Sequence, residues 1–361
     1  MPEALTAAEI EKALSNFHDP ESGQNVVQQE QVKDIQVDGD RVSFTLALTT
    51  HSAPLWEETR AKAAEHVKQA CPQAKDVNVN AAVHERPPLA LGQIGVTAKS
   101  VIAVGSGKGG VGKSTVAASI AVGLQRAGCK VGLMDADVYG PSIPHLLGLS
   151  GRPAVENQKI TPIEAGGLKV MSMGFMVPRG EAVVWRGPML HGAITQFLRD
   201  TDWGEIDYII IDMPPGTGDI ALTLSQLLPL TGSVIVCTPQ EVALLDAEKA
   251  LAMFDKVNIP VLGIVENMSF FQCPDCDRRY NIFGTGGAKQ AAETRKVPFL
   301  GEVPIQLPIR ELGDAGKAAD VFNDEAARPY FDDIVKNLAR NVANAKLSDG
   351  GPSLPQLSVL N

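Results

Sequence analysis

The chain has 361 residues, 44% hydrophobic and 20% charged, with a formal net charge of −10. That composition is ordinary for a globular protein, the length suggests roughly two domains, and the acidic balance argues against a nucleic-acid partner. No run of about 18 apolar residues is present to span a bilayer, so no membrane partner is expected. Five cysteines, odd in number and irregularly spaced, do not form a secreted disulfide framework. Met1-Pro2-Glu3-Ala4-Leu5 lacks the basic start and apolar core of a signal peptide, so the expected location is cytoplasmic.

Residues 1–83 read as a small α/β domain. Thr6 and Glu9 form a capping-box signal for a first helix that ends near Phe17. Asp38-Gly39 separates two strand-like runs, and in the second Val42, Phe44, Leu46 and Leu48 alternate with smaller residues. Pro54 opens a helix over 55–70, and Val77 and Val79 mark a short third strand. Residues 84–97, rich in Pro and Gly, read as a linker.

From Ser100 short apolar runs alternate with helical segments: 101–104, 131–134, 170–173, 208–211, 234–237 and 262–265 are the predicted strands. Continuous apolar runs imply a sheet covered on both faces, hence a doubly wound, mostly parallel α/β domain over 98–347 with ligands at the carboxyl edge. Residues 348–361 read as a flexible tail.

Gly107-Lys108-Gly109-Gly110-Val111-Gly112-Lys113-Ser114, followed by Thr115, fits G-x-x-x-x-G-K-[ST] between an apolar strand and an Ala-rich helix. Glycines let backbone N–H groups curl around phosphates, Lys113 should reach the β- and γ-phosphates of ATP, and Ser114 should bind Mg²⁺. Asp212 ends a strand and is predicted to hold the Mg²⁺ water shell, with the loop after it placed to sense the γ-phosphate. Asp135 and Asp137 end another strand; either could orient the attacking water, and either could merely cap the turn.

Cys273-Pro274-Asp275-Cys276 is the only C-x-x-C, and it is expected in a loop, 268–284, after a sheet strand. Two thiolates make half of a soft metal site that normally needs four ligands, and no histidine stands at zinc-finger spacing. Two chains sharing one bridging site is the economical solution; a redox pair and a zinc clasp between subunits remain open. Cys129 and Cys237 read as buried packing residues.

The loop carries two lysines, and with the first of them, Lys108, it resembles the deviant Walker A signature of the MinD/ParA/nitrogenase-iron-protein class of ATPases. That resemblance implies a homodimer in which Lys108 acts in trans and supports hydrolysis with Asp137, and in which Asn267 reads the adenine edge. Taken with Asp212-Met213-Pro214-Pro215-Gly216-Thr217-Gly218-Asp219, Glu266-Asn267-Met268-Ser269 and the cysteine pair, residues 98–345 resemble the Mrp/ApbC family of iron–sulfur cluster carrier ATPases. The resemblance implies an ATP-hydrolysing carrier that binds a [4Fe–4S] cluster at Cys273 and Cys276 of two subunits, takes it from a cluster donor and delivers it to apo-proteins. The first domain is similar to the iron–sulfur-assembly domain that often precedes this ATPase. Where that domain often has a cysteine before its proline, this chain has Ser52-Ala53, which favours partner docking over thiol chemistry. The alternative is a MinD/ParA-like spatial-organising ATPase carrying a structural zinc clasp.

Overall fold

The computed structural model describes residues 5–138, 140–176, 187–216, 218–276 and 278–349. In the N-terminal unit, Glu9 N–H donates to Thr6 Oγ1 and Thr6 N–H to Glu9 Oε2, which closes the capping box of the helix Ala7–Leu14. Strands Val32–Asp38 and Arg41–Leu48 form an antiparallel hairpin, and Asp76–Val83 pairs parallel to the second of them. The helix Trp56–Ala70, entered through the 3-10 turn Thr50–Leu55, supplies the crossover. Ile10, Leu14, Phe44, Leu46, Ala63 and Val67 fill the core between sheet and helices.

The larger unit is built on one sheet. Its central parallel strands lie in the order Val261–Gln272, Gly232–Cys237, Val96–Gly105, Ile206–Asp212, Val131–Asp135 and Leu168–Ser172. Alternate residues of each strand serve opposite faces, which is why the strands read as continuous apolar runs. Val101, Ala103, Ile209 and Ile211 pack with the helices Gly187–Asp200, Gly218–Leu227 and Glu241–Lys256. Ile102, Val104, Tyr208 and Ile210 pack instead with Lys113–Ala127 and Arg328–Asp349.

Four features differ from the sequence expectations. Val261–Gln272 runs seven residues past the predicted 262–265, so Asn267 lies inside the strand. The edge strand Phe299–Ile305 is hidden in sequence by Gly301 and Pro304, residues a sheet edge tolerates. The expected linker is partly sheet, because Ala90–Leu91 folds back on the start of Val96–Gly105. The last helix reaches Asp349, so the expected tail begins later; residues 350–361 lie outside the described residues.

The two units meet at the amino edge of the large sheet. His51, 2% exposed, stacks on Tyr208 with ring centroids 4.4 Å apart, and the Tyr208 hydroxyl donates to the His51 carbonyl at 2.8 Å. Ser100 Oγ lies 2.9 Å and Lys346 Nζ 3.4 Å from Nε2 of His51. Both groups can donate there, which leaves the imidazole proton on Nδ1, 3.7 Å from Glu21 Oε1. Burial, reinforced by Lys346, Lys99 and Arg86, holds the His51 pKa well below its ordinary value, so the contact with Glu21 is not an ion pair at neutral pH. Arg86 closes the seam through Asp19 at 3.0 Å and Glu21 at 3.4 Å, and Lys99 joins Asp207 at 3.2 Å.

Candidate functional site

The strand Val96–Gly105 ends in the middle of the sheet's carboxyl edge, and the chain turns there through the glycine-rich loop into Lys113–Ala127. Gly110 and Gly112 have φ of 80° and 79°, a region that costs a Cβ-bearing residue roughly 1–2 kcal/mol. Gly107 is required by space, since a Cβ there would collide with the Asp246 backbone of a neighbouring helix. Ser106 Oγ donates to the Lys108 carbonyl at 2.9 Å and fixes the loop's first half. The loop N–H groups and the helix N-terminus together form a cradle for phosphate.

Lys113 is the centre of the charge cluster. Its Nζ donates to Asp212 Oδ1 at 2.6 Å, lies 3.8 Å from Asp137 Oδ2 and 3.3 Å from Ser114 Oγ. Burial pushes the Asp212 carboxyl up, and the Lys113 charge and hydrogen bond oppose that shift. Asp212 Oδ2 is buried and has no hydrogen-bond partner among the described residues. An unsatisfied carboxylate oxygen beside a serine hydroxyl is the oxygen donor set that suits Mg²⁺, so the residues fit that ion. Lys108, Gly109, Gly110, Gly112, Lys113, Ser114, Thr115 and Asp137 line a cleft of about 290 Å³.

The two aspartates left open by the sequence have distinct surroundings. Asp135 accepts the Asp137 N–H at 3.1 Å, the Ile143 N–H at 3.2 Å and the Ser172 hydroxyl at 2.9 Å, and is fully buried. Its carboxyl is pushed up to about 8 by burial and then by Asp212. Asp135 therefore ties the turn together, while Asp137 faces the cleft beside Lys113. The D-x-D spacing left this division open, and nothing in the sequence marked Ser172 as the brace.

Lys108 is half-buried, its Nζ 3.5 Å from Gln240 Oε1 at the start of the helix Glu241–Lys256. Asn267 Nδ2 donates to the Val111 carbonyl at 2.8 Å, so its side chain touches the phosphate loop itself. Val111 is buried beneath the loop. Thr217, in the loop after Asp212, lies outside the described residues.

The cysteine pair was expected in an open loop, 268–284, and instead stands on a hairpin. Gln272 pairs with Arg279 and Phe271 with Tyr280, and Cys273 N–H donates to the Arg278 carbonyl at 3.0 Å. Cys273 is partly exposed and Cys276 exposed, whereas Cys71, Cys129 and Cys237 are buried. N–H groups of Asp275 and Cys276 and the Cys276 thiol lower the Cys273 pKa, which favours a thiolate. Burial pushes Cys237 up to about 12 and Cys129 well above the thiol range. No group of three or more His, Cys, Asp or Glu side chains that could hold a metal occurs among the described residues. Nor is any described helix long and apolar enough to cross a membrane.

Comparison with known proteins agrees with this geometry. Residues 97–341 match the family model described as NUBPL iron-transfer P-loop NTPase, and residues 7–81 match that of an iron-sulfur cluster assembly protein. An iron-sulfur cluster carrier protein of Deinococcus radiodurans is 44% identical over 350 residues, covering 96% of this chain and 98% of its own. The Escherichia coli K12 protein of the same name is 42% identical over 361 residues, covering 98% and 95%. The solved structure of an Archaeoglobus fulgidus nucleotide-binding protein in complex with ADP is 45% identical, with a TM-score of 0.56, over 62% of this chain and 88% of that one. The glycine-rich loop, its carboxylates and the full-length similarity have one explanation: the chain belongs to the NUBPL iron-transfer P-loop NTPase family.

Proposed function

We propose that the protein is a homodimeric ATPase that carries a labile iron–sulfur cluster between subunits and delivers it to apo-proteins. The observation that carries this reading is the solvent-accessible cysteine pair, without a third ligand among the described residues, just beyond the strand that braces the phosphate loop. A cluster needing four thiolates is then completed by Cys273 and Cys276 of a second chain, and [4Fe–4S] is the type that fits. The relatives named iron-sulfur cluster carrier proteins support the same cargo.

ATP binds with its phosphates in the Gly107–Ser114 loop and Thr115 behind it. Lys113 moves from its carboxylate partners toward the β- and γ-phosphates. Ser114 and Asp212 would hold Mg²⁺, which neutralises phosphate charge when bound. Asp137 orients a water in line with the γ-phosphorus. As the new P–O bond forms, the bond to the β–γ bridging oxygen breaks and yields ADP and phosphate. Lys108 reaches across the dimer to the other chain's nucleotide, and Asn267 stands beside the nucleotide, at the loop. Nucleotide state shifts the dimer and so exposes or shields the cluster. The working location is the cytoplasm, with a cluster donor upstream.

The test is transfer. Protein loaded with iron and sulfide under anaerobic conditions is incubated with an apo-hydratase whose activity requires a [4Fe–4S] cluster. Recovery of hydratase activity that needs Cys273 and Cys276, at a rate altered by MgATP, is expected. Equal rates with and without MgATP would remove the nucleotide coupling, and no recovery at all would overturn the carrier reading.

A further inference from the structure

Asn267 occupies the middle of Val261–Gln272, five residues before the strand's last, and is 8% exposed. Its hydrogen bond to the Val111 carbonyl is close-packed: a Cβ on Gly112 would collide with the same amide nitrogen. Immediately after it, Met268 has φ of 55°, the left-handed region that a residue with a Cβ enters only under constraint. The pairing with Phe299–Ile305 also shifts register between Asn267 and Phe271. The strand therefore bends directly beyond the residue that touches the phosphate loop.

Past that bend the strand is clamped to its neighbours and leads straight into Cys273. Ser269 Oγ donates to Glu266 Oε1 at 2.5 Å, with Glu302 Oε2 3.1 Å away, and Glu266 Oε2 accepts the Ala288 N–H at 2.8 Å. Glu302 Oε1 accepts from Arg279 Nη1 at 3.4 Å, and the Arg279 guanidinium lies 4.0 Å over the Phe270 ring. Arg279 sits opposite Gln272 on the returning strand of the cysteine hairpin. One continuous element thus touches the phosphate loop at its middle and leads into the cysteine pair at its end.

We propose that Asn267 is a positioning residue acting through Val111, which braces the phosphate loop and, through the bend at Met268, makes the placement of Cys273 depend on bound nucleotide. The inference rests on the carrier reading for its purpose but not for its test. Two sites biasing one element is the physical requirement for coupling, and this strand supplies the element.

The experiment is amide hydrogen exchange on full-length, metal-free protein with and without saturating MgADP, read on the peptide covering residues 268–276. In the wild type, exchange there changes about fivefold or more. Asn267→Ala still binds MgADP, more weakly, and at saturation its peptide no longer responds. If that variant fails to fold, Arg279→Gln, remote from the loop, keeps MgADP affinity within about twofold and loses the response. An unresponsive wild type, or a response preserved in every folded variant at saturation, overturns the proposal. Because no iron enters the readout, such a failure leaves the carrier reading standing. A wild type that responds to MgADP but takes up no iron and sulfide would instead sink the carrier reading and keep the brace.

Discussion

The phosphate loop and the cysteine hairpin lie on one sheet, yet they are built to opposite standards. Around the loop each functional atom is determined several times over: two left-handed glycines, a lysine among two carboxylates and a serine, and an asparagine on the loop carbonyl. The hairpin has one partly exposed and one exposed thiol, a ladder only two residue pairs long, and no further ligand group among the described residues. A single chain thus builds its nucleotide site in advance, while in the proposed reading the metal cargo waits for a second chain to complete its shell. The half-built site is also the one suited to release, because ligands in solvent are easily exchanged.

The largest effect expected from breaking this comparison comes from Lys113→Ala. Removing the cation leaves Asp212 and Asp137 facing each other and takes away the contact to the transferring phosphate. ATP hydrolysis should fall by on the order of 10³, within the range for losing one transition-state cation. Iron bound after reconstitution should keep its stoichiometry, measured on the same preparation. Loss of iron together with hydrolysis would show that the two regions are not separately built.

A smaller effect sharpens the contrast from the opposite edge of the sheet. His51 is held neutral in the fold, so the unfolded chain takes up a proton near pH 6.5 that the folded chain refuses. A lowered folded pKa means stability falls as pH drops below 6.5, by about 1.4 kcal/mol per pH unit at most. Burial, and then the charges of Lys346, Lys99 and Arg86, oppose its protonation, although Glu21, Asp19 and Asp207 share the seam. Thermal melts at pH 7.5 and 5.5 should show a larger loss in the wild type than in His51→Asn. Equal losses would place the acid sensitivity elsewhere.

What the sequence disclosed follows the same division. The loop was legible because a phosphate cradle demands particular residue types at fixed spacing, and the parallel sheet was legible because strands buried on both faces leave uninterrupted apolar runs. Gln240 near Lys108, Ser172 on Asp135 and Asn267 on Val111 were not, since each joins positions far apart in the chain. The strand Phe299–Ile305 was hidden because Gly301 and Pro304 break its pattern while the sheet edge forgives both. The cysteine hairpin read as a loop because its returning strand, Arg279–Tyr280, is only two residues long.

The most direct test of the account is iron, sulfide and zinc content together with the mass of the metal-bearing species, after anaerobic reconstitution. The account predicts about four iron and four sulfide per dimer. Both should be lost in Cys273→Ser and Cys276→Ser but retained in Cys129→Ala and Cys237→Ala, whose thiols are buried. Stoichiometric zinc that resists exchange for iron, or a cluster held by a monomer, would contradict it.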